Sequence, residues 1–490
     1  MFAIYFFTIT FVALYALLKY IFTYWERRDF PYLEPTFVFG NMKSFVLRKR
    51  SFGLAIWDLY RKTTKPVVGV YMLTNPGVLV RDLELVKKVL VTDFDHFYDR
   101  GMYNNKKREP IASFLAAERG EDWKTLRQKL SPLFSSGKLR LMFPTILQQV
   151  KRLEEHLKPM AERNEIVGMK DILIRYALDV VGSIFFGTDV NTMQNPDQDF
   201  YRMNKILNSP DFKENLRMGL VFIAPKIIDF LRMSPFNPEA KRFFLELTTA
   251  TIKHREENKV DRNDFMKLML ELRESEKGTT HQLSIEEIAS NCLLFYNAGT
   301  ETTSGTVGFL LYELALNPQV MQTLLHEIDE TLAKSNEISY DMIQDMTYLD
   351  MCLKETLRKY PGLASLNREC TKDYRIPGTK FTIKKGMSTI ISVMGLHYDS
   401  RYFPNPEVFD PERFRKGNET YNKDAYMPFG DGPRQCIAVR LGFIEAKLAA
   451  VMLLSKYKFE TIHQKPMEFD GYALTLQAKD GLPLKISLRH

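Results

Sequence analysis

The ten residues Phe429-Gly430-Asp431-Gly432-Pro433-Arg434-Gln435-Cys436-Ile437-Ala438 decide how the chain is read. Their two glycines and one proline fix an irregular loop whose backbone can come close to a flat ligand. Val439 to Leu454 then follows with the amphipathic pattern of a helix. Cys436 therefore stands before the helix's unpaired N–H groups and positive dipole end, with Arg434 two residues upstream. Both influences favour the thiolate, the form of cysteine that ligates metal. A buried structural cysteine satisfies the same position but leaves the Gly-x-Gly loop without a purpose. A nucleotide-binding loop fits less well, because the third glycine is missing and no βαβ unit surrounds it.

Outward from this loop, the composition narrows the class. The chain has 490 residues, 68 Lys and Arg against 60 Asp and Glu, and a net charge of +8. Its four cysteines (Cys292, Cys352, Cys370, Cys436) show no C-x-x-C spacing, and its histidines no H-E-x-x-H. Disulfide scaffolds, zinc ribbons and helical zinc hydrolases lose support. Residues 1–18 carry no charged side chain, and apolar character continues through Ile21, Phe22, Tyr24 and Trp25 to the basic pair Arg27-Arg28. This matches the ~20 residues of a bilayer-crossing helix, and the positive flank keeps the remainder cytosolic. A cleaved secretory signal would carry its charge before the apolar run and a small-x-small site after it. We expect an anchor over residues 1–25, with Tyr24 and Trp25 at the interface. A Pro-containing spacer over 26–45 then lifts a soluble body over 46–490 off the membrane.

That body reads as one large, mainly α domain with a small β region. Pro66–Leu73 and Val78–Arg81 flank Asn75-Pro76-Gly77 as a hairpin, and strand alternation returns at 363–398 and 458–490. The clearest helix begins at Ser284, where Ser284-Ile285-Glu286-Glu287 has the form of a capping box. It runs about 33 residues, or about 50 Å, to Asn317-Pro318. Its apolar middle holds Ala298-Gly299-Thr300-Glu301-Thr302-Thr303, and an acid there is hard to explain by packing alone.

The loop around Cys436 resembles the haem-binding loop of the cytochrome P450 family, F-x-x-G-x-R-x-C-x-[GA], with Ala438 where most members have Gly. Ala298 to Thr302 resembles the family's A-G-x-[DE]-T oxygen-activation motif. Glu355-Thr356-Leu357-Arg358 and Pro411-Glu412-Arg413-Phe414 resemble its E-x-x-R and P-E-R-F segments, in the family's order. The E-x-x-R pattern recurs from Glu214, Glu239 and Glu412, but only Glu355–Arg358 precedes a Tyr-Pro stop. Spacing and texture are most similar to microsomal insect members associated with foreign-compound metabolism (clan 3).

The resemblance implies a cytochrome P450 fold enclosing haem b, with Cys436 as axial ligand to the iron and Phe429 packed beside it. It implies haem propionates held by Arg434, Trp123, Arg127, Arg368 and His397. Glu301 and Thr302 become the proton-handling pair, and Glu355, Arg358 and Arg413 a structural triad. The implied reaction inserts one atom of O2 into a lipophilic small molecule, in the endoplasmic reticulum membrane. Electrons come from NADPH through cytochrome P450 reductase, with cytochrome b5 as a further partner and no role for nucleic acid. An oxygen-independent isomerase or dehydratase of the same fold often lacks the acid–Thr pair. A non-enzymatic haem or ligand binder has no use for it. Lys124, Arg127, Lys129, Lys138, Arg140, Arg440 and Lys447 form a basic reductase-facing patch by the same comparison.

Overall fold

Nine helices position the site in this computed structural model, which describes residues 1–208, 211–279, 282–335, 337–462 and 467–489. They are α1 (Phe2–Phe22), α2 (Phe52–Arg61), α3 (Gly120–Leu130), α4 (Ser136–Glu162), α5 (Met169–Val181), α6 (Asp199–Leu207), α7 (Ile285–Leu316), α8 (Thr347–Lys359) and α9 (Val439–Lys456). The central one, α7, starts where the sequence predicts. The Ser284 hydroxyl accepts the Glu287 N–H at 3.1 Å, and the Glu287 carboxylate accepts the Ser284 N–H at 2.8 Å. From there α7 crosses the body packed on α5, α8, α9 and the helix Pro238–Asn258, and it is buried along most of its length.

Strands gather beside this helical core. β1 (Val67–Met72) and β2 (Asn75–Val80) pair antiparallel, with Val67 opposite Val80. The hairpin forms, but its turn is Leu73-Thr74, with Leu73 at φ +56°, while Asn75-Pro76-Gly77 begins β2. A two-residue loop closes the strands more tightly than a three-residue one. A short β3 (Ile166–Gly168) precedes α5. β4 (Ser365–Glu369) and β5 (Ser388–Ser392) complete a sheet of order β1-β2-β5-β4, in which β2 and β5 run parallel. β6 (Tyr457–Thr461) and β7 (Pro483–Leu488) pair antiparallel, and β7 also carries β3.

At the N-terminus, α1 has no buried residue and is long and apolar enough to cross a membrane. Its 21 residues span ~31 Å, close to the hydrocarbon thickness. Two expectations change here. Trp25 is not an interfacial anchor: it is buried on β1, where a Cβ on Gly69 would lie 2.5 Å from its ring. Nor is 26–45 a free spacer. The Leu33 N–H donates to the Gly69 carbonyl, the Gly69 N–H to the Pro31 carbonyl, and Met42 is fully buried. The prolines punctuate an extended segment, and β1's free edge supplies its partner.

Candidate haem-binding and oxygen-activation site

The cysteine loop is held by its own backbone. Gly430 and Gly432 lie at φ +74° and +70°, and a Cβ on Gly432 would sit 1.9 Å from the Leu90 carbonyl oxygen. The Asp431 carboxylate accepts the Gly432 N–H at 2.7 Å, and the Cys436 N–H donates to the Phe429 carbonyl at 2.9 Å. The Phe429 ring packs 5.6 Å from Phe443 on α9. Cys436, two residues before the Ala438 N-cap of α9, lies deep in the body yet keeps accessible surface. Burial pushes its thiol above the ordinary value, while the Ala438 amide and the Arg100 and Arg127 guanidiniums pull the other way. The assisting cations are thus Arg100 and Arg127 rather than Arg434. Because burial prevails, the thiolate forms when a metal displaces the proton.

Beside the cysteine loop the structure gathers an excess of cations, Arg434 and Arg368 buried and Arg100 and Arg127 half-buried. Arg434 donates through Nε to the Tyr98 carbonyl (3.0 Å) and through Nη2 to that of Glu118 (2.6 Å), and its guanidinium lies 4.1 Å over the Trp123 ring. Arg368, 1% exposed, leaves its Nε without a partner. Arg100 donates to the Arg434 carbonyl at 2.9 Å, and Arg127 to that of Gln435 at 2.9 Å. Burial pulls Arg434 down to about 8, Arg368 to about 9 and Arg100 to about 10, with their mutual repulsion acting in the same direction on Arg434 and Arg368. Asp99, 3.6 Å from Arg434, is the carboxylate that opposes this excess. Such a cluster is unfavourable until anions join it. A thiol and an orphaned guanidinium nitrogen among surplus buried cations fit an iron porphyrin, which offers a metal to the first and two carboxylates to the rest.

The middle of α7 has a different chemistry. Thr300, Thr302, Ser304 and Thr306 each donate their hydroxyl to the carbonyl four residues back. These bonds loosen the ladder without interrupting the helix. With its proton on the Ala298 carbonyl (2.7 Å), Thr302 Oγ1 presents lone pairs as an acceptor. Glu301 is buried, and its Oε1 accepts from Asn204 Nδ2 on α6 at 3.3 Å. Burial pushes its carboxyl up against that hydrogen bond, so it keeps its proton to a higher pH than a free carboxyl does. The Glu301 and Thr302 side chains are bonded to different partners, and the fold does not join them directly.

A third cluster sets two guanidiniums on one carboxylate and spreads the remaining charge over backbone carbonyls. Arg358 grips both oxygens of Glu355 at 2.7 and 2.8 Å, and Arg413 Nε reaches Glu355 at 3.3 Å, all three being buried. Arg413 also donates to the Asn405 carbonyl at 2.9 Å, and Arg358 to the His397 carbonyl at 3.0 Å. His397 belongs here and not with the propionates. Its Nε2 accepts the Met427 N–H at 3.0 Å, so Nδ1 donates to the Arg358 carbonyl at 2.9 Å and no ring nitrogen remains. Burial pushes its pKa down to about 3. The cluster ties α8 to the segment that leads into the cysteine loop.

Comparison with known proteins agrees with this geometry. A family profile described as Cytochrome P450 matches residues 31–482. The chain belongs to the cytochrome P450 family. It is 38% identical over 493 residues to "Probable cytochrome P450 6d4" of Drosophila melanogaster, covering 96% of both chains. It is 39% identical to "Cytochrome P450 6d3" of Musca domestica over 97% of both. "Cytochrome P450 6A1" of Musca domestica is 36% identical, over 97% of this chain and 95% of the relative. The family consists of haem monooxygenases that use O2, a substrate and a redox partner, and this chain is one of those enzymes.

Within that family frame, sequence reasoning missed Arg100, Asn204, Gln477 and Glu445. Gln477 Nε2 donates to the Glu301 carbonyl at 2.9 Å from a strand-end loop. Glu445 on α9 is buried with Thr303 of α7 at 3.1 Å, and burial pushes it up to about 8. For Glu445 a signal existed, an acid inside an apolar helical run. The basic patch also shrinks. Lys447 is buried against Asp350 at 3.1 Å, Lys129 bonds Glu276 at 2.7 Å and Arg140 pairs with Asp341 at 2.6 Å, leaving Lys124 and Arg440 exposed and Arg127 and Lys138 half-buried.

Proposed function

We propose that the protein is a membrane-anchored monooxygenase of lipophilic small molecules, foreign compounds included, with Cys436 as the axial ligand. The observation that carries this reading is the thiol of Cys436 beside Arg100 and Arg127, with the buried Arg434 and Arg368 next to Arg100 and, among the described residues, Asp99 as the opposing carboxylate at 3.6 Å from Arg434. When bound there, haem supplies the reductive activation of O2 and the insertion of one oxygen atom into substrate. Arg368 and Arg434, with Arg100, Arg127 and Trp123 beside them, hold the propionates, and Phe429 shields the sulfur. Cys436 would hold the haem iron as the thiolate. With haem in place, Thr302 Oγ1 would accept a hydrogen bond on the oxygen-binding side, and Glu301, turning from Asn204, would pass in from solvent the protons that reduction of O2 consumes. Glu355, Arg358 and Arg413 keep the cysteine loop in register.

NADPH electrons enter through cytochrome P450 reductase, with cytochrome b5 as a second donor, at the face bearing Lys138 and Arg440. A location in the endoplasmic reticulum membrane, with the body on the cytosolic side, is part of this reading, and α1 with its basic flank supports the attachment and the orientation. The test is NADPH-dependent oxidation of a lipophilic panel by the protein reconstituted with reductase. Turnover that needs both NADPH and O2 supports the reading. A normal thiolate spectrum with no turnover across the panel contradicts it and favours ligand sequestration.

A further inference from the structure

The segment 26–45, docked on β1, forms with α2 a cleft of about 570 Å³ beside the exit of α1. Its rim carries Lys43, Lys49, Arg61 and Lys62 against the carboxylates Glu34 and Asp58. Asp58 is already engaged by Arg61 and, at 3.2 Å, by Arg50. Glu34 hydrogen-bonds the Tyr32 hydroxyl. No carboxylate among the described residues lies within ion-pair distance of Lys43, Lys49 or Lys62, all three of which are exposed.

Depth in the membrane distinguishes this cleft from an ordinary basic surface. Thr36, Gly40 and Asn41 line it, and the chain between them turns out toward α1. The Thr36 N–H donates to the Gly40 carbonyl at 2.7 Å, closing the turn, and the Phe37 ring lies 5.3 Å from Tyr15 and 6.4 Å from Phe22. Tyr15 and Phe22 are about two helical turns apart, ~10 Å along α1. The turn therefore reaches alongside the apolar helix, with Phe37 and Val38 44% and 49% exposed. Val38 holds φ +70°, a strained conformation for a β-branched residue. With Phe37 and Val38 at the edge of the hydrocarbon, the cleft opens at the level of the headgroups, a layer ~5–8 Å thick.

We propose that this cleft binds the headgroup of an anionic phospholipid from the leaflet that α1 enters, its phosphodiester and carboxylate oxygens held by Lys43, Lys49 and Lys62. The Phe37–Val38 turn sets the depth at which the three ammonium groups meet the phosphate. The proposal rests on α1 as the membrane anchor, so vesicle flotation of each protein tests that premise separately.

The experiment uses the full-length haem-loaded protein in phosphatidylcholine vesicles doped with spin-labelled phosphatidylserine or spin-labelled phosphatidylcholine. The motionally restricted fraction is read by electron spin resonance. The wild type is expected to restrict phosphatidylserine more than about fivefold over phosphatidylcholine. Lys43→Ala/Lys49→Ala/Lys62→Ala should float as the wild type does, keep its thiolate spectrum and lose the preference. Lys151→Ala/Lys158→Ala/Lys334→Ala, removing equal charge outside the cleft, should retain it. An undiminished preference in the cleft variant, or an equal loss in the control variant, overturns the proposal. Abolition of the preference by inorganic phosphate, with the protein still in the vesicles, also overturns it and assigns the cleft to free phosphate.

Discussion

The two sides of the site solve opposite electrostatic problems. On the cysteine side Arg100, Arg127, Arg368 and Arg434 converge with one carboxylate, Asp99, and burial drags their guanidiniums down. In and behind α7, Glu301 and Glu445 are buried with an amide and a hydroxyl as partners, and burial pushes both up. Desolvation is the same force in both places. On one side it leaves cations in need of anions, and on the other it leaves acids that release their protons only at higher pH than free carboxyls. The Glu355–Arg358–Arg413 cluster differs from both: its two guanidiniums share one carboxylate and give their remaining N–H groups to backbone carbonyls.

The largest expected effect comes from the acid side. Glu445 titrates at about 8 in the folded protein against 4.5 as a free carboxyl. Its stabilisation is present in full below 4.5 and is lost as pH rises toward 8, because only the unfolded chain ionises freely. Glu445→Gln should therefore leave the thermal midpoint unchanged at pH 4.5 and raise stability by up to roughly 5 kcal/mol at pH 9. A pH-independent difference would break the comparison. Glu301→Gln should keep the thiolate spectrum and lower turnover by about 10²-fold, the usual size of a general-acid contribution.

On the cation side, Arg368→Met should cut haem retention about tenfold while leaving the haem-free protein at least as stable, since it removes an unpaired buried charge. Loss of stability in the haem-free form would mean that the arginines are already balanced. The smallest effect belongs to the surface. Lys138→Glu should slow reductase-supported turnover a few-fold and flatten its salt dependence, with turnover driven by peroxide unchanged.

What was legible in the sequence follows the same division. The capping box at Ser284, the cysteine loop and the Glu355–Arg358 pair are local, and residues one helical turn apart declare themselves. Asn204 meets Glu301 across 97 residues and Gln477 meets it across 176, so neither partner could be read from spacing. Arg100 sits in an irregular stretch with no periodicity to mark its direction. His397 was placed by family position, yet two backbone groups claim both its nitrogens. Lys129 and Lys447 looked like surface charge because sequence shows an ammonium but not the carboxylate beside it. The segment 26–45 looked like a spacer because the β1 edge it covers lies some thirty residues further along.

The central claim is that Cys436, alone among four cysteines, presents the sulfur that binds haem iron. Burial pushes Cys292 up to about 12 and Cys370 to about 11, and raises Cys352 well above its ordinary value, whereas Arg100 and Arg127 pull Cys436 down against its burial. The direct measurement is the carbon-monoxide difference spectrum of the reduced protein and of its four single Cys→Ala variants. The account predicts the thiolate-type band in the wild type and in Cys292→Ala, Cys352→Ala and Cys370→Ala, and its complete loss in Cys436→Ala. A thiolate band that survives Cys436→Ala would contradict it.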